Sequence, residues 1–337
     1  MDVLTAQQLK RIAVVGATGY AGGELCKLVG AHAGMELVSA MSARTEGGAR
    51  ASRIPGEQAV ETYQPELFDS LDGVFVCAPH GASAPVVLAA LEAGAAVVDL
   101  SADFRLNDAA VYEATYGLPH PAPALLGEAV YGLTEHARAA VAQTRLVANP
   151  GCYPTSILLP LLPLFEHGLV PQDSTIIADS KSGLSGAGKG ASDRTHFGNV
   201  HDNFLAYGVG THRHTPEIHQ VAGTDSIRFV PHLLPVERGI LSTIYVQPTT
   251  GVDAQAVRSC LAERYADETF VHVRASGLPE LKDVQRTNRC DMAVCDADGM
   301  VVIVTVIDNL LKGAAGQALQ NMNLMLDLPE AEGIPCV

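Results

Sequence analysis

The chain lacks the marks of several large protein classes. Its seven cysteines (26, 77, 152, 260, 290, 295 and 336) include no Cys-x-x-Cys pair, so neither a zinc ribbon nor a disulfide framework is indicated. No uncharged apolar run approaches the roughly 18–20 residues that span a bilayer. Cations are scarce. Against 37 Asp and Glu stand 22 Lys and Arg, and the net charge of −15 argues against general affinity for nucleic acid or anionic membrane. A small anionic substrate stays open, because a site needs only a few local cations. The opening MDVLTAQQLKR leads into the strand-like IAVV with neither the basic nor the apolar region of a signal peptide. A cytoplasmic protein in a reducing compartment is therefore expected, with most cysteines acting as small buried hydrophobes. Internal repeats, low-complexity tracts and long linkers are also missing.

What is present reads as a folded protein of two domains. A length of 337 residues exceeds one typical domain, and 47% hydrophobic with 18% charged residues supplies a real core. In the first half, short apolar runs (RIAVVG at 11–16, ELVSAMSA at 36–43, GVFVCAP at 73–79, AAVVDLS at 95–101, TRLVANP at 144–150) alternate with helical stretches. Such runs predict a parallel sheet covered on both faces, a doubly wound (Rossmann-type) nucleotide-binding domain. After residue 152 the texture changes. TIIADSKSG, SIRFVPHL and GILSTIYVQ, then strands near 270–274, 291–296 and 301–307, follow one another with few helices. That order predicts an α+β domain with a mixed or antiparallel sheet. The expected division is 1–151 for the nucleotide domain, completed by a C-terminal helix over 309–327, and 152–308 for the second domain.

The segment GATGYAGGEL places Gly16, Gly19 and Gly22 three apart between a strand and a helix. Glycine permits the positive dihedrals of the turn and lets backbone amides approach a pyrophosphate at the helix N-terminus. An ordinary tight turn is the plain alternative. An NAD enzyme would carry Asp or Glu about 20 residues past the loop to hold the ribose hydroxyls. Here that position is Ser42, with Arg44 two further on and no carboxylate at that predicted strand end. A serine and an arginine suit a 2′-phosphate, so NADP(H) is the expected cofactor, unless Arg44 is only a solvated surface residue.

In LVANPGCYPTS, Cys152 directly follows a predicted strand, on a Pro-Gly turn, with Pro154 in the first turn of an apolar helix. A thiol there meets the positive end of the helix dipole, which favours the thiolate, and the same amides would hold a developing oxyanion. A buried structural cysteine is the alternative. THRHTPEIHQ carries His212, His214, Glu217 and His219. One histidine would accept the thiol proton, with Glu217 orienting it. His-x-His needs further ligands for zinc and no second cluster follows, so no metal is expected. A second glycine-rich loop, SGLSGAGKG, holds Ser182, Ser185 and Lys189, and Arg105 in DLSADFRL is another candidate anion ligand.

Together these segments resemble the N-acetyl-γ-glutamyl-phosphate reductases of arginine biosynthesis, relatives of aspartate-semialdehyde dehydrogenase. GATGYAGGEL, VFVCAPHGAS, VVDLSADFRL, ANPGCYPTS, SGLSGAGK, THRHTPEI, PHLLPVERGIL and DNLLKGAAGQA carry the likeness in order from residue 16 to 318. The resemblance implies a thioester enzyme with Cys152 as nucleophile and a histidine of THRHTPEI as base. His214, nearer Glu217, is the choice, with His212 in reserve beside the substrate. Phosphate contacts from Arg105 and the Ser182–Ser185–Lys189 loop are implied, as are cofactor contacts from Thr18, Tyr20, Pro79 and Asn309, and a homodimer or homotetramer. Aspartate-semialdehyde dehydrogenase itself is the poorer match, since its catalytic histidine falls where this chain has Ile240. In YGLPH the chain has His120 where many reductases of this family carry Glu. A reductase for a longer, aminoadipate-type acyl phosphate and a non-catalytic NADP-sensing protein are the rival readings.

Overall fold

The computed structural model describes residues 8–43, 60–190 and 192–336. Two compact units emerge: one of residues up to Glu113, Gly117–Asn149 and Ala315–Ile334, the other chiefly Pro150–Ala314.

The first unit is built on β1 (Lys10–Val15), β2 (Met35–Ser42), β3 (Glu61–Thr62), β4 (Gly73–Val76), β5 (Ala96–Asp99), β6 (Val130–Tyr131) and β7 (Leu146–Ala148). Between them run α1 (Tyr20–Gly30), α2 (Ala84–Glu92) and α4 (Thr134–Val141), and α3 (Ala109–Tyr116) begins here. All pairings are parallel, in the order β3-β2-β1-β4-β5-β7-β6. Ile12, Ala13, Val14 and Val15 are each fully buried, as are Val74, Phe75 and Val76. These strands show no alternation because both faces are covered, and each large side chain so buried contributes about 1.5–3 kcal/mol. The chain runs outward through β2 and β3, then returns to lay β4 on the other side of β1. That reversal falls at the carboxyl ends of β1 and β4, the place where open α/β sheets take their ligands.

The second unit holds β8 (Ile176–Gly183), β9 (Leu205–Ala206), β10 (Ile227–Leu234), β11 (Ile240–Val246), β12 (Val271–Val273), β13 (Cys290–Ala297) and β14 (Met300–Ile307), with helices α5 (Cys152–Glu166), α6 (Phe197–Val200), α7 (Thr215–Ala222), α8 (Ala254–Arg264) and α9 (Leu281–Val284). Its sheet, β12-β13-β14-β11-β8-β10-β9, mixes parallel and antiparallel pairs. Burial alternates with period 2 along β8, β10 and β11, as it must when helices cover one face. The long helix expected over 309–327 begins instead as a π-turn, Leu311–Ala315, and continues as α10 (Gly316–Met325), which returns to the first unit.

Helix α5 contains Pro160 and Pro163, and each lacks the amide that would satisfy the carbonyl four residues earlier. Both orphans are captured by side chains. Thr305 Oγ1 donates to the Ser156 carbonyl at 2.8 Å, and the Tyr265 hydroxyl donates to the Leu159 carbonyl at 2.5 Å. A buried acceptor left unpaired costs about 1–3 kcal/mol. Thr305→Val and Tyr265→Phe should each lower stability by about that amount in urea unfolding, and roughly additively, since they serve different carbonyls. Losses under about 0.5 kcal/mol for both would show that α5 does not depend on these caps.

Candidate active site

The nucleotide loop lies wholly in the first unit. Gly16 ends β1 at φ +86°, and a Cβ there would stand 2.3 Å from the Cys77 carbonyl oxygen. A Cβ on Gly22 would lie 2.2 Å from the Gly16 carbonyl oxygen. Both positions therefore exclude any side chain. Gly19 is the N-cap of α1, whose first turn has neither a side-chain cap nor an acidic residue, and Thr18 and Tyr20 flank that cap. The helix N-terminus is thus unobstructed for an anion such as a pyrophosphate. Ser42 closes β2, beside which Glu61 of β3 pairs with Met41 and accepts from the Ser39 hydroxyl, while Arg44 lies outside the described residues.

The segment after β4, which carries Pro79, is held by a residue that sequence reading did not single out. Asp103 Oδ1 accepts from the Gly81 amide (2.7 Å) and the Tyr112 hydroxyl (2.8 Å), and Oδ2 accepts from the Ser83 hydroxyl (2.7 Å). Nearby, burial raises the Asp99 carboxyl to about 7, against the lowering effect of its bonds from Ser101. Arg105 is buried, donating from Nε to the Asn149 carbonyl and from Nη2 to the Leu100 carbonyl, both at 2.8 Å. His120 is buried too. Its Nε2 lies 2.7 Å from the Asp103 carbonyl, and its Nδ1 accepts from the Ala122 amide at 3.0 Å. It therefore acts as a packed structural ring.

In the second unit Cys152 is the first residue of α5, capped by Gly151 through backbone alone. Glu217, 1% exposed, accepts the Gly151 amide on Oε1 at 2.7 Å. Glu217 belongs to the first turn of α7, and His214 is the N-cap of the same helix. That one bond ties the start of α7 to the start of α5 and draws His214 and Cys152 to one end of the unit. His214 is buried at 8% exposure, its ring centroid 6.0 Å from Tyr153 and 4.9 Å from His212. His212 accepts the His214 amide on Nδ1 at 3.1 Å. Burial, reinforced by the Arg213 charge, pushes the His212 imidazole down to about 4. It is neutral at physiological pH.

Tyr153 adds a wall to this end. Its hydroxyl donates to the His232 carbonyl at 3.0 Å and lies 3.3 Å from the Tyr207 hydroxyl. Burial pushes both phenols up, so they stay protonated donors. The second glycine loop closes the site. Ser182 is buried, Ser185 Oγ accepts from Asn309 Nδ2 at 3.0 Å, and Asn309 Oδ1 accepts the Gly239 amide at 2.6 Å. Asn309 thus braces that loop, and Lys189 is exposed on it. Among the described residues no group of three or more His, Cys, Asp or Glu is placed to hold a metal, and no helix is long and apolar enough to cross a membrane.

A parallel nucleotide sheet joined to a mixed-sheet unit with a cysteine, a histidine and a buried carboxylate at one end defines a nicotinamide-dependent oxidoreductase of the semialdehyde dehydrogenase class. Residues 11–144 match the family described as semialdehyde dehydrogenase, NAD binding domain, and residues 152–309 match semialdehyde dehydrogenase, dimerisation domain. The fold is that of aspartate semialdehyde dehydrogenase II from Vibrio cholerae, at TM-score 0.72 and 19% identity over 95% of this chain and 99% of that one. The Candida albicans aspartate semialdehyde dehydrogenase solved with NADP matches at TM-score 0.67 and 15% identity, over 94% and 98%. Sequence narrows the assignment. The N-acetyl-gamma-glutamyl-phosphate reductase of Magnetococcus marinus is 47% identical over 96% of this chain and 97% of its own, and that of Desulforudis audaxviator 45% over the same shares. The chain belongs to the N-acetyl-gamma-glutamyl-phosphate reductase family.

Proposed function

We propose that the chain reduces N-acetyl-γ-glutamyl phosphate to N-acetylglutamate semialdehyde with release of phosphate, through a thioester on Cys152, as a step of arginine biosynthesis. The single observation that carries the mechanism is the Glu217–Gly151 bond, which brings the nucleophile and His214 to the same end of the unit. NADPH, held by the Gly16–Gly22 turn and α1 and favoured over NADH by Ser42 at the end of β2 with Arg44 two residues further along the sequence, supplies a hydride when bound.

The rest is done by the chain's own groups. His214 takes the Cys152 proton as the sulfur attacks the acyl carbon; the carbon–oxygen bond to phosphate breaks and a thioester remains. A thioester accepts hydride where a free carboxylate does not. The hemithioacetal oxyanion that follows lies at the N-terminus of α5, whose amides stabilise it together with protonated His214. The carbon–sulfur bond then breaks, releasing aldehyde and returning the thiolate. One hydride and one proton are consumed per phosphate released. His214 suits this work better than His212, whose imidazole is held neutral by burial and whose Nδ1 is already committed. Arg105 gives N–H donors to the carbonyls of Leu100 and Asn149, and its guanidinium is assigned to the phosphate together with Ser182, Ser185 and Lys189. The dimerisation-domain match supports a homo-oligomer.

The test runs the reaction backwards, which avoids the unstable acyl phosphate: N-acetylglutamate semialdehyde with NADP, with and without inorganic phosphate, followed by NADPH absorbance. Phosphate-dependent turnover is expected. No turnover from protein that binds NADPH would overturn the substrate assignment and point to a longer, aminoadipate-type chain.

A further inference from the structure

Glycine stands at position 313 where the backbone gives no reason for it. Gly313 sits inside the π-turn Leu311–Ala315 and is not among the glycines at positive φ. In helical backbone glycine is about 1 kcal/mol worse than alanine, so the preference must come from outside the turn. It comes from Cys152. A methyl group at 313 would lie 2.7 Å from Cys152 Cβ and 3.1 Å from Cys152 Cα, with Ile307 Cδ1 at 3.3 Å. Carbon atoms at rest stay about 3.5–4.0 Å apart.

Neither side can easily give way. Cys152 begins α5, and the residue before it is tied to Glu217. The turn is pinned by Asp308, whose carboxylate accepts from the amides of Leu310 (2.8 Å), Leu311 (3.2 Å) and Arg286 (2.6 Å) and pairs with buried Arg238 at 2.9 Å. The Gly313 amide itself donates to the Asp308 carbonyl at 2.9 Å. π-turns inside helices gather at functional sites, and this one presents its bare α-carbon to the reacting cysteine.

We infer that Gly313 is a positioning residue for Cys152, its bare α-carbon forming the wall against which the cysteine Cα and Cβ are seated and so setting the direction of the thiol. The inference rests on Cys152 being the nucleophile. Gly313→Ala in the full-length enzyme should lower kcat by about 100-fold, the cost of a displacement near 1 Å, with KM for the semialdehyde and NADP affinity changed less than about threefold. Alkylation of Cys152 by iodoacetamide should slow by at least about tenfold, a readout that mere loosening of the fold would move the other way. Melting temperatures supply an independent cycle. Alanine at 313 should destabilise the enzyme carrying Cys152 and do so clearly less in Cys152→Gly, where the opposing Cβ is gone. If Gly313→Ala alone does not fold, the doubly substituted protein should still fold and bind NADP. Wild-type turnover and alkylation in Gly313→Ala, or an equal loss of melting temperature in both backgrounds, would overturn the inference. Failure of the nucleophile assignment shows separately, as an active Cys152→Ser enzyme.

Discussion

Serine at position 152 is expected to cut phosphate-dependent turnover by about 10³- to 10⁵-fold while NADP affinity stays within about twofold. The substitution replaces sulfur by oxygen at the first residue of α5 and leaves Tyr153, Pro154 and the Glu217–Gly151 bond in place. What is lost is the nucleophile. A serine hydroxyl is far less acidic than a thiol and gives an ester that accepts hydride poorly. The companion measurement is alkylation at pH 8 with mass mapping. Burial pushes Cys26 up to about 12, Cys77 well above its ordinary value, and Cys260 in the same direction. These three should stay largely unlabelled while Cys152 reacts, and substrate should protect it. A serine enzyme retaining more than about a tenth of the activity would remove the thioester from the mechanism.

How much of this was legible beforehand depends on the sequence distance over which each feature is decided. Gly22 was legible because its conflict is with Gly16 in the same strand–turn–helix unit, and Gly16 because its turn needs a positive φ, although the atom it must avoid, the Cys77 carbonyl oxygen, lies 61 positions away. Cys152 was legible because a strand end, Pro-Gly and a following proline fix a helix start within a few residues. The alternation of β8, β10 and β11 and the unbroken apolar runs of β1 and β4 separated the two sheets for the same local reason. The edge strands β3, β6 and β9 have two residues each and carry no periodicity to find. Glu217 was picked out as an orienting group, but its bond to Gly151 crosses 66 positions and only the packing of α5 on α7 makes it. Asn309, expected at the cofactor, spends both ends of its amide on the loops at Ser185 and Gly239. The prolines of α5 announced missing amides, whereas their caps sit 149 and 106 residues from the carbonyls they serve. Asp103, Tyr153 and Gly313 lie within the segments that carry the family likeness, but nothing in those segments marks what each one does. Their roles exist only once strands and helices have brought distant segments together.

Exchanging His214 for asparagine should lower kcat by about 10²- to 10⁴-fold, the usual worth of a positioned acid–base group, with NADP affinity unchanged. The same exchange at His212 should cost less and act differently. With its pKa near 4, His212 carries no proton to gain or lose between pH 5 and 8, so it cannot produce the acid limb of a kcat/KM profile in that window. Its task is to accept the His214 amide on Nδ1, and an asparagine oxygen can take over that bond. Any such limb should therefore persist in His212→Asn, whereas most of the rate should be lost in His214→Asn. Glu217→Gln separates orientation from charge. The amide can still accept from Gly151 but carries no negative charge, so turnover should fall while the melting temperature moves little. If instead most of the rate is lost in His212→Asn and survives in His214→Asn, the two histidines exchange roles, and Glu217 is left as a brace for the nucleophile turn.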